Sequence, residues 1–167
     1  VDAAATLDVT TRSSQDHGIL HADGAMTLTA GGDLDYTRLS GNASLDIDAS
    51  GTATGDEAIF DGAITAIGDE DFDLRSIEST GAIDLDVNGL AAIDMLIGGA
   101  DVTIDAGALT LDQATIDGGM NATTIVRDGR DGSQQLGTIK SGGLMTLIAG
   151  GALEWAIAEG DADLTAA

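Results

Sequence analysis

Four acids fall within six residues at GDEDFD, residues 68–73, and no other stretch of the chain is better suited to a hard cation. Calcium is held by a shell of oxygen ligands, so Asp69, Glu70 and Asp71 form a candidate calcium corner. The segment lacks the spacing of an EF-hand loop, and the chain has no GGxGxD nonapeptide of the calcium-binding β-rolls. A solvated acidic corner is the competing expectation and the weightier one. His17 and His21 stand four apart, with Asp16 and Asp23 beside them. On a helix that spacing would aim both rings at one metal, but Gly18 and the surrounding β pattern remove the helix. Two surface histidines at an irregular corner are expected instead.

Paired carboxylates on one face are the acid and base of sugar-polymer cleavage. Asp46 with Asp48, Asp84 with Asp86, and Asp112 are the candidates. Acids are so frequent here that chance alignment is expected, and Arg12, Arg38, Arg75, Arg127, Arg130 and Lys140 are too scattered to hold an acidic polymer. Cysteine is absent, both histidines lie near one end, and no GKS or GKT phosphate loop occurs. The expectation is a protein that is not an enzyme and has no resident cofactor, calcium being the one ion worth testing. A second polar cluster, RDGRDGSQQ at residues 127–135, offers Asp128, Arg130, Asp131 and Gln134 as candidate binding residues on a protruding loop.

What must position these groups is a repeat. Gly24, Gly41, Gly62, Gly81, Gly99, Gly119, Gly143 and Gly160 mark intervals of 17, 21, 19, 18, 20, 24 and 17 residues. After nearly every one comes a short strand in two-residue rhythm: Met26 and Leu28, Leu45 and Ile47, Ile83 and Leu85, Val102 and Ile104, Met145 and Leu147. A second apolar cluster recurs mid-unit, as Leu34 with Tyr36, Phe72 with Leu74, and Leu153 with Trp155. A third apolar position precedes the closing glycine at Leu39, Ile77, Ile97, Ile116, Ile139 and Ile157. Three short strands per coil and about eight coils follow, stacked as a one-dimensional solenoid. Glycine at this density penalises helix by about 1 kcal/mol per interior site. The pairs Gly31-Gly32, Asn88-Gly89, Gly118-Gly119 and Gly150-Gly151 are expected to turn corners with positive φ. Two longer units place surface loops at 50–56 and 127–135.

Composition fits a thin core. Aromatic residues are 2% of the chain, so small aliphatics must fill the interior, and Tyr36, Phe72 and Trp155 are expected to occupy core corners in preference to an exposed sugar-binding stripe. The formal charge of −23 argues against nucleic-acid binding and against anionic lipid. With 43% hydrophobic residues in alternating order the chain buries enough surface to fold, and the acids belong to a wet outer face. No apolar run reaches membrane-spanning length and no basic-then-apolar leader opens the chain. Both ends cut through the repeat, so residues 1–167 are expected to be one β-helix segment, an internal excerpt of a longer array.

The phrases GAMTLTAGGDL, GALTLDQATIDGG and GGLMTLIAGGALEW resemble the repeats of filamentous haemagglutinin-type exoproteins, the family of two-partner-secreted adhesins and contact-dependent inhibition stalks. The resemblance is one of rhythm and runs from Gly24 to Leu164. It implies a right-handed parallel β-helix, export to the bacterial surface or beyond, and a role as adhesin or spacer. Partners implied are a surface glycan or protein receptor, further repeats of the same chain, and laterally associated rods. The absence of cysteine and proline suits export as an unfolded chain. A carbohydrate-active β-helix and a calcium-stiffened matrix or surface-layer protein are the alternative functions.

Overall fold

A computed structural model of the chain describes residues 1–127 and 129–166. It is an all-β solenoid of about nine turns in which every strand pairing is parallel. After the short β1 (Asp2–Ala3), each coil contributes a five-residue strand and then a longer one. β2 (Leu7–Thr11) leads to β3 (Gln15–Ala22), β4 (Met26–Ala30) to β5 (Leu34–Gly41), β6 (Leu45–Ala49) to β7 (Ala53–Phe60), and β8 (Ile64–Gly68) to β9 (Phe72–Ser79). In the next two coils the pair runs together as β10 (Ile83–Gly98) and β11 (Val102–Ile116). The separation returns in β12 (Met120–Thr124) with β13 (Gln134–Ser141) and β14 (Met145–Ala149) with β15 (Leu153–Glu159), before β16 (Ala162–Ala166) opens another coil.

Side-chain alternation builds the core. On the short strands one ladder runs Met26, Leu45, Ile64, Ile83, Val102, Met120 and Met145, and a parallel one runs Leu28, Ile47, Ala66, Leu85, Ile104, Ala122 and Leu147. All of these are buried, and each fully buried aliphatic contributes about 1.5–3 kcal/mol. The long strands are bent. In β5 the sequence Leu34-Asp35-Tyr36 points in, out, in, then Thr37 and Arg38 both face outward before Leu39 turns in again. Two successive outward residues recur at Asp56-Glu57, Arg75-Ser76, Asp94-Met95 and Asp112-Gln113. The three apolar clusters of the sequence are thus the short strand and the two arms of one bent strand, so each coil has two hydrogen-bonded strands but three inward faces.

Three expectations are corrected. The corner glycine pairs do not adopt positive φ; among the described glycines only Gly129, Gly132 and Gly160 do. Corner glycines are required instead by close approach to the preceding coil, since a Cβ on Gly31 would lie 2.7 Å from the backbone of Arg12. The expected surface loop at 50–56 shrinks to a corner at 50–52, because Ala53–Phe60 forms β7 with Ala53 and Gly55 inside the core. Ile97 and Ile157, grouped with the inward residues on spacing, face outward; Leu96 and Ala158 take the inward positions beside them.

The large aromatics do sit in the core where coils cover them. Tyr36 and Phe72 are buried. Tyr36 shares its ladder with Gly55, and a Cβ there would fall 2.1 Å from the phenol ring, so the glycine hollows the coil above for the ring. Trp155 occupies the equivalent position above Leu136 on β15, a strand that pairs only with β13, and is 47% exposed.

Candidate functional site

The acidic corner and the polar insertion, read from the sequence as separate features, meet in space. Between β12 and β13, the described residues 125–127 and 129–133 reach back to the edges of three earlier coils. Gly129 and Gly132, with φ of 80° and 71°, give this segment its reversals, conformations that cost a residue with a Cβ. The Gly132 N–H donates to Gly107 O at 3.1 Å, the Gly151 N–H donates to Gly132 O at 3.1 Å, and Thr124 Oγ1 donates to the same Gly132 carbonyl. Hydrogen bonds from Ser133, its hydroxyl first and its backbone N–H second, hold the Asp131 carboxyl below the usual carboxylate range.

Two arginines fasten this strap. Arg127 donates from Nη2 to Val87 O at 2.8 Å and to Asp105 Oδ1 at 3.1 Å, and lies 3.7 Å from Asp86 Oδ1. Its side chain is only 20% exposed. Arg130 reaches further and pairs with Asp71. Its path is cleared by two glycines: a Cβ on Gly107 would crowd the Arg130 stem, and one on Gly89 would strike Asp71. Asp71 also accepts the Leu90 N–H at 2.8 Å. The remaining corner acids have neutral partners, Asn88 Nδ2 to Asp69 at 3.5 Å and Thr52 Oγ1 to Glu70 at 3.3 Å.

Asp69, Glu70, Asp71, Gly89, Gly129 and Arg130 line a pocket of about 440 Å³ beneath the strap. Its charge is already partly answered by the guanidinium of Arg130, and among the described residues no group of three or more acid or histidine side chains is arranged to hold a metal. Of the candidate loop residues, Arg130 and Asp131 belong to the strap. Gln134 does not: it is the first residue of β13 and fully buried. Asp128 lies outside the described residues.

The histidines are not at a corner, because both lie in β3. His17 Nε2 contacts Gln15 Oε1 at 2.8 Å, while His21 Nδ1 contacts Ser40 Oγ at 3.1 Å. Nor do the Asp pairs stack as the sequence allowed. Outward residues on the short strands run Asp8, Thr27, Asp46, Thr65, Asp84, Thr103, so a threonine separates each acid from the next. Asp86 does stack on Asp105, and Arg127 covers both. Asp112 stacks on Asp94 at the bend, between the register pairs Ile93 with Leu111 and Met95 with Gln113.

Sequence reasoning missed a buried polar bracket. Gln15 and Gln134 hold one ladder position, where other coils carry Leu34, Ala53 or Phe72. Gln134 Nε2 donates to Ala122 O at 3.1 Å and Ile148 O at 2.9 Å; Gln15 Nε2 donates to Thr29 O at 2.7 Å. Each is worth about 1 kcal/mol once made. The signal was present as a glutamine where the repeat demands an apolar residue.

No family model matches the chain, and neither a curated protein nor a solved structure does. What fold and site together define is a β-solenoid repeat protein, its coils tied laterally by an arginine strap.

Proposed function

We propose that the chain is a rigid spacer and attachment segment of a large bacterial secreted or cell-surface filamentous protein, of the filamentous haemagglutinin type that its repeats resemble. One observation supports this most: parallel pairing continues coil upon coil over about nine turns. In such a stack the strands of each coil pair only with those of its neighbours, so length follows from coil number and stiffness from continuous hydrogen bonding. The acid-rich outer face keeps such a rod dispersed in water. The solenoid, with the receptor-facing chemistry on its outside, serves as the shaft of an adhesin.

The test has two parts. Small-angle scattering should return an elongated particle roughly 40 Å along the stacking axis, from about nine rungs near 4.8 Å each. Beads coated with the chain should be retained on surfaces displaying glycans or proteins. A rod of that length with no retention on any such surface would remove the attachment role and leave the spacer; a spherical particle would remove both.

A further inference from the structure

Two of the chain's three asparagines are followed two places on by a hydroxyl residue, as Asn42-Ala43-Ser44 and Asn121-Ala122-Thr123. That spacing is the acceptor signal for sugar transfer to an asparagine amide, and it has meaning only where the asparagine faces water. Both are exposed, while Asn88, which lacks the hydroxyl partner, is half-buried. The two acceptors differ in their surroundings. Asn42 lies at the corner between β5 and β6, its Nδ2 donating to Asp23 Oδ1 at 3.2 Å. Asn121 stands on the outer face of β12, with Thr123 two places along on the same face.

A second, independent feature singles out Asn121. β12 and β14 pair with each other and neither contains a charged residue, in a chain of net charge −23. Every other pair of adjacent short strands includes at least one acid. On this neutral spot Leu144 is 58% and Ile148 42% exposed, large aliphatics left facing water. The register sets Thr146 beside Asn121 and Ile148 beside Thr123, so Leu144 and Ile148 flank Asn121 diagonally on either side. All three line a hollow of about 620 Å³.

We propose that Asn121 is the attachment point of an N-linked sugar that seats in this hollow and covers Leu144 and Ile148. A sugar ring suits the place: its C–H faces cover aliphatic side chains, and its hydroxyls meet those of Thr103, Thr123 and Thr146, which line the same hollow. In the transfer, Nδ2 of Asn121 bonds to the anomeric carbon of a phosphate-activated sugar. The carbon–oxygen bond to phosphate breaks, its electron pair leaves on the phosphate, and the displaced amide proton passes to a base of the transferase. Elsewhere acid keeps the rod dispersed; here the sugar does so, over the one pair of adjoining short strands that charge does not protect. The assignment deepens the reading as a surface or secreted protein, and it rests on that reading.

The experiment is peptide mapping by mass spectrometry of the protein taken from the cells that make it. The peptide bearing Asn121 should carry sugar mass increments in most molecules. Asn121→Gln and Thr123→Val should each abolish them, while Thr123→Ser keeps them. A single sugar marks a nucleotide-activated donor and a preassembled oligosaccharide a lipid-linked one, and either supports the site. An unmodified Asn121, or sugar carried only by Asn42 or by the Thr123 hydroxyl, would overturn it. A dye that fluoresces on apolar surface should bind Asn121→Gln several-fold more than the native protein. Equal binding, with circular dichroism showing both folded, would overturn the covering of Leu144 and Ile148. Scattering and bead retention are measured on the unmodified chain from a host without such transferases, so failure here leaves the spacer reading standing.

Discussion

Arg127 offers the sharpest test of the strap. Arg127→Ala removes the donor to Val87 O at 2.8 Å and to Asp105 at 3.1 Å, plus the longer contact to Asp86. Hydrogen bonds involving a charged group contribute about 1.5–3 kcal/mol each when shielded. Asp86 and Asp105 are well exposed and rehydrate when the guanidinium leaves, which trims the loss. About 2 kcal/mol remains, mostly from the half-buried side chain and the Val87 carbonyl. Arg130→Ala is the comparison. Arg130 and Asp71 are 37% and 38% exposed, and Asp71 keeps the Leu90 N–H, so about 0.5 kcal/mol is expected there and should vanish in high salt. Native-state hydrogen exchange is the suitable assay, because coils of a solenoid open locally. Amides of β10 and β11 should exchange about thirtyfold faster in Arg127→Ala and no more than about threefold faster in Arg130→Ala. Equal acceleration in the two variants, or none in the first, would refute the assignment of Arg127 as the main fastening.

Leu85→Asp or Ile104→Asp places an unpaired charge in the buried ladder and should unfold several coils, seen as lost protection across β8 to β12; unchanged melting would show that these side chains do not face inward. Gly55→Ala should cost about 1–3 kcal/mol by thermal melting, because its Cβ meets the Tyr36 ring, and Tyr36→Leu should recover most of that loss. If the double variant melts no higher than Gly55→Ala alone, the ring is not what the glycine accommodates. Burial pushes the Tyr36 phenol well above its ordinary value near 10. The folded state then holds a proton that the unfolded chain gives up, so stability is level below about pH 10 and falls as pH rises beyond it, by at most about 1.4 kcal/mol per unit. Denaturant melts from pH 8 to 11.5 should show that fall, and Tyr36→Phe should flatten it.

The short-strand ladders were legible because Met26, Leu28, Leu45, Ile47, Leu85 and Ile104 alternate with polar residues and nothing local competes. Phase was lost at the bend, where two residues in a row face outward; a two-residue rhythm cannot announce a skipped beat, and Ile97 and Ile157 were misassigned there. Corner glycines were recognised but for a conformational reason, when the pressure comes from the backbone of the coil below, a neighbour about 19 residues away that local sequence does not show. The strap was half visible. RDGRDGSQQ reads as an insertion, yet that its arginines return to Asp71, Asp86 and Asp105 depends on which coils the loop overlies.

The threonines set between outward acids on the short strands have a bearing on growth. With every second rung neutral, carboxylates in that column stand roughly 9–10 Å apart, close to the screening distance of physiological salt. Along that column each added acid therefore gains no strongly repelled neighbour. The electrostatic toll of that column stays constant per coil, so an alternation of this kind lets an acidic face lengthen without mounting self-repulsion.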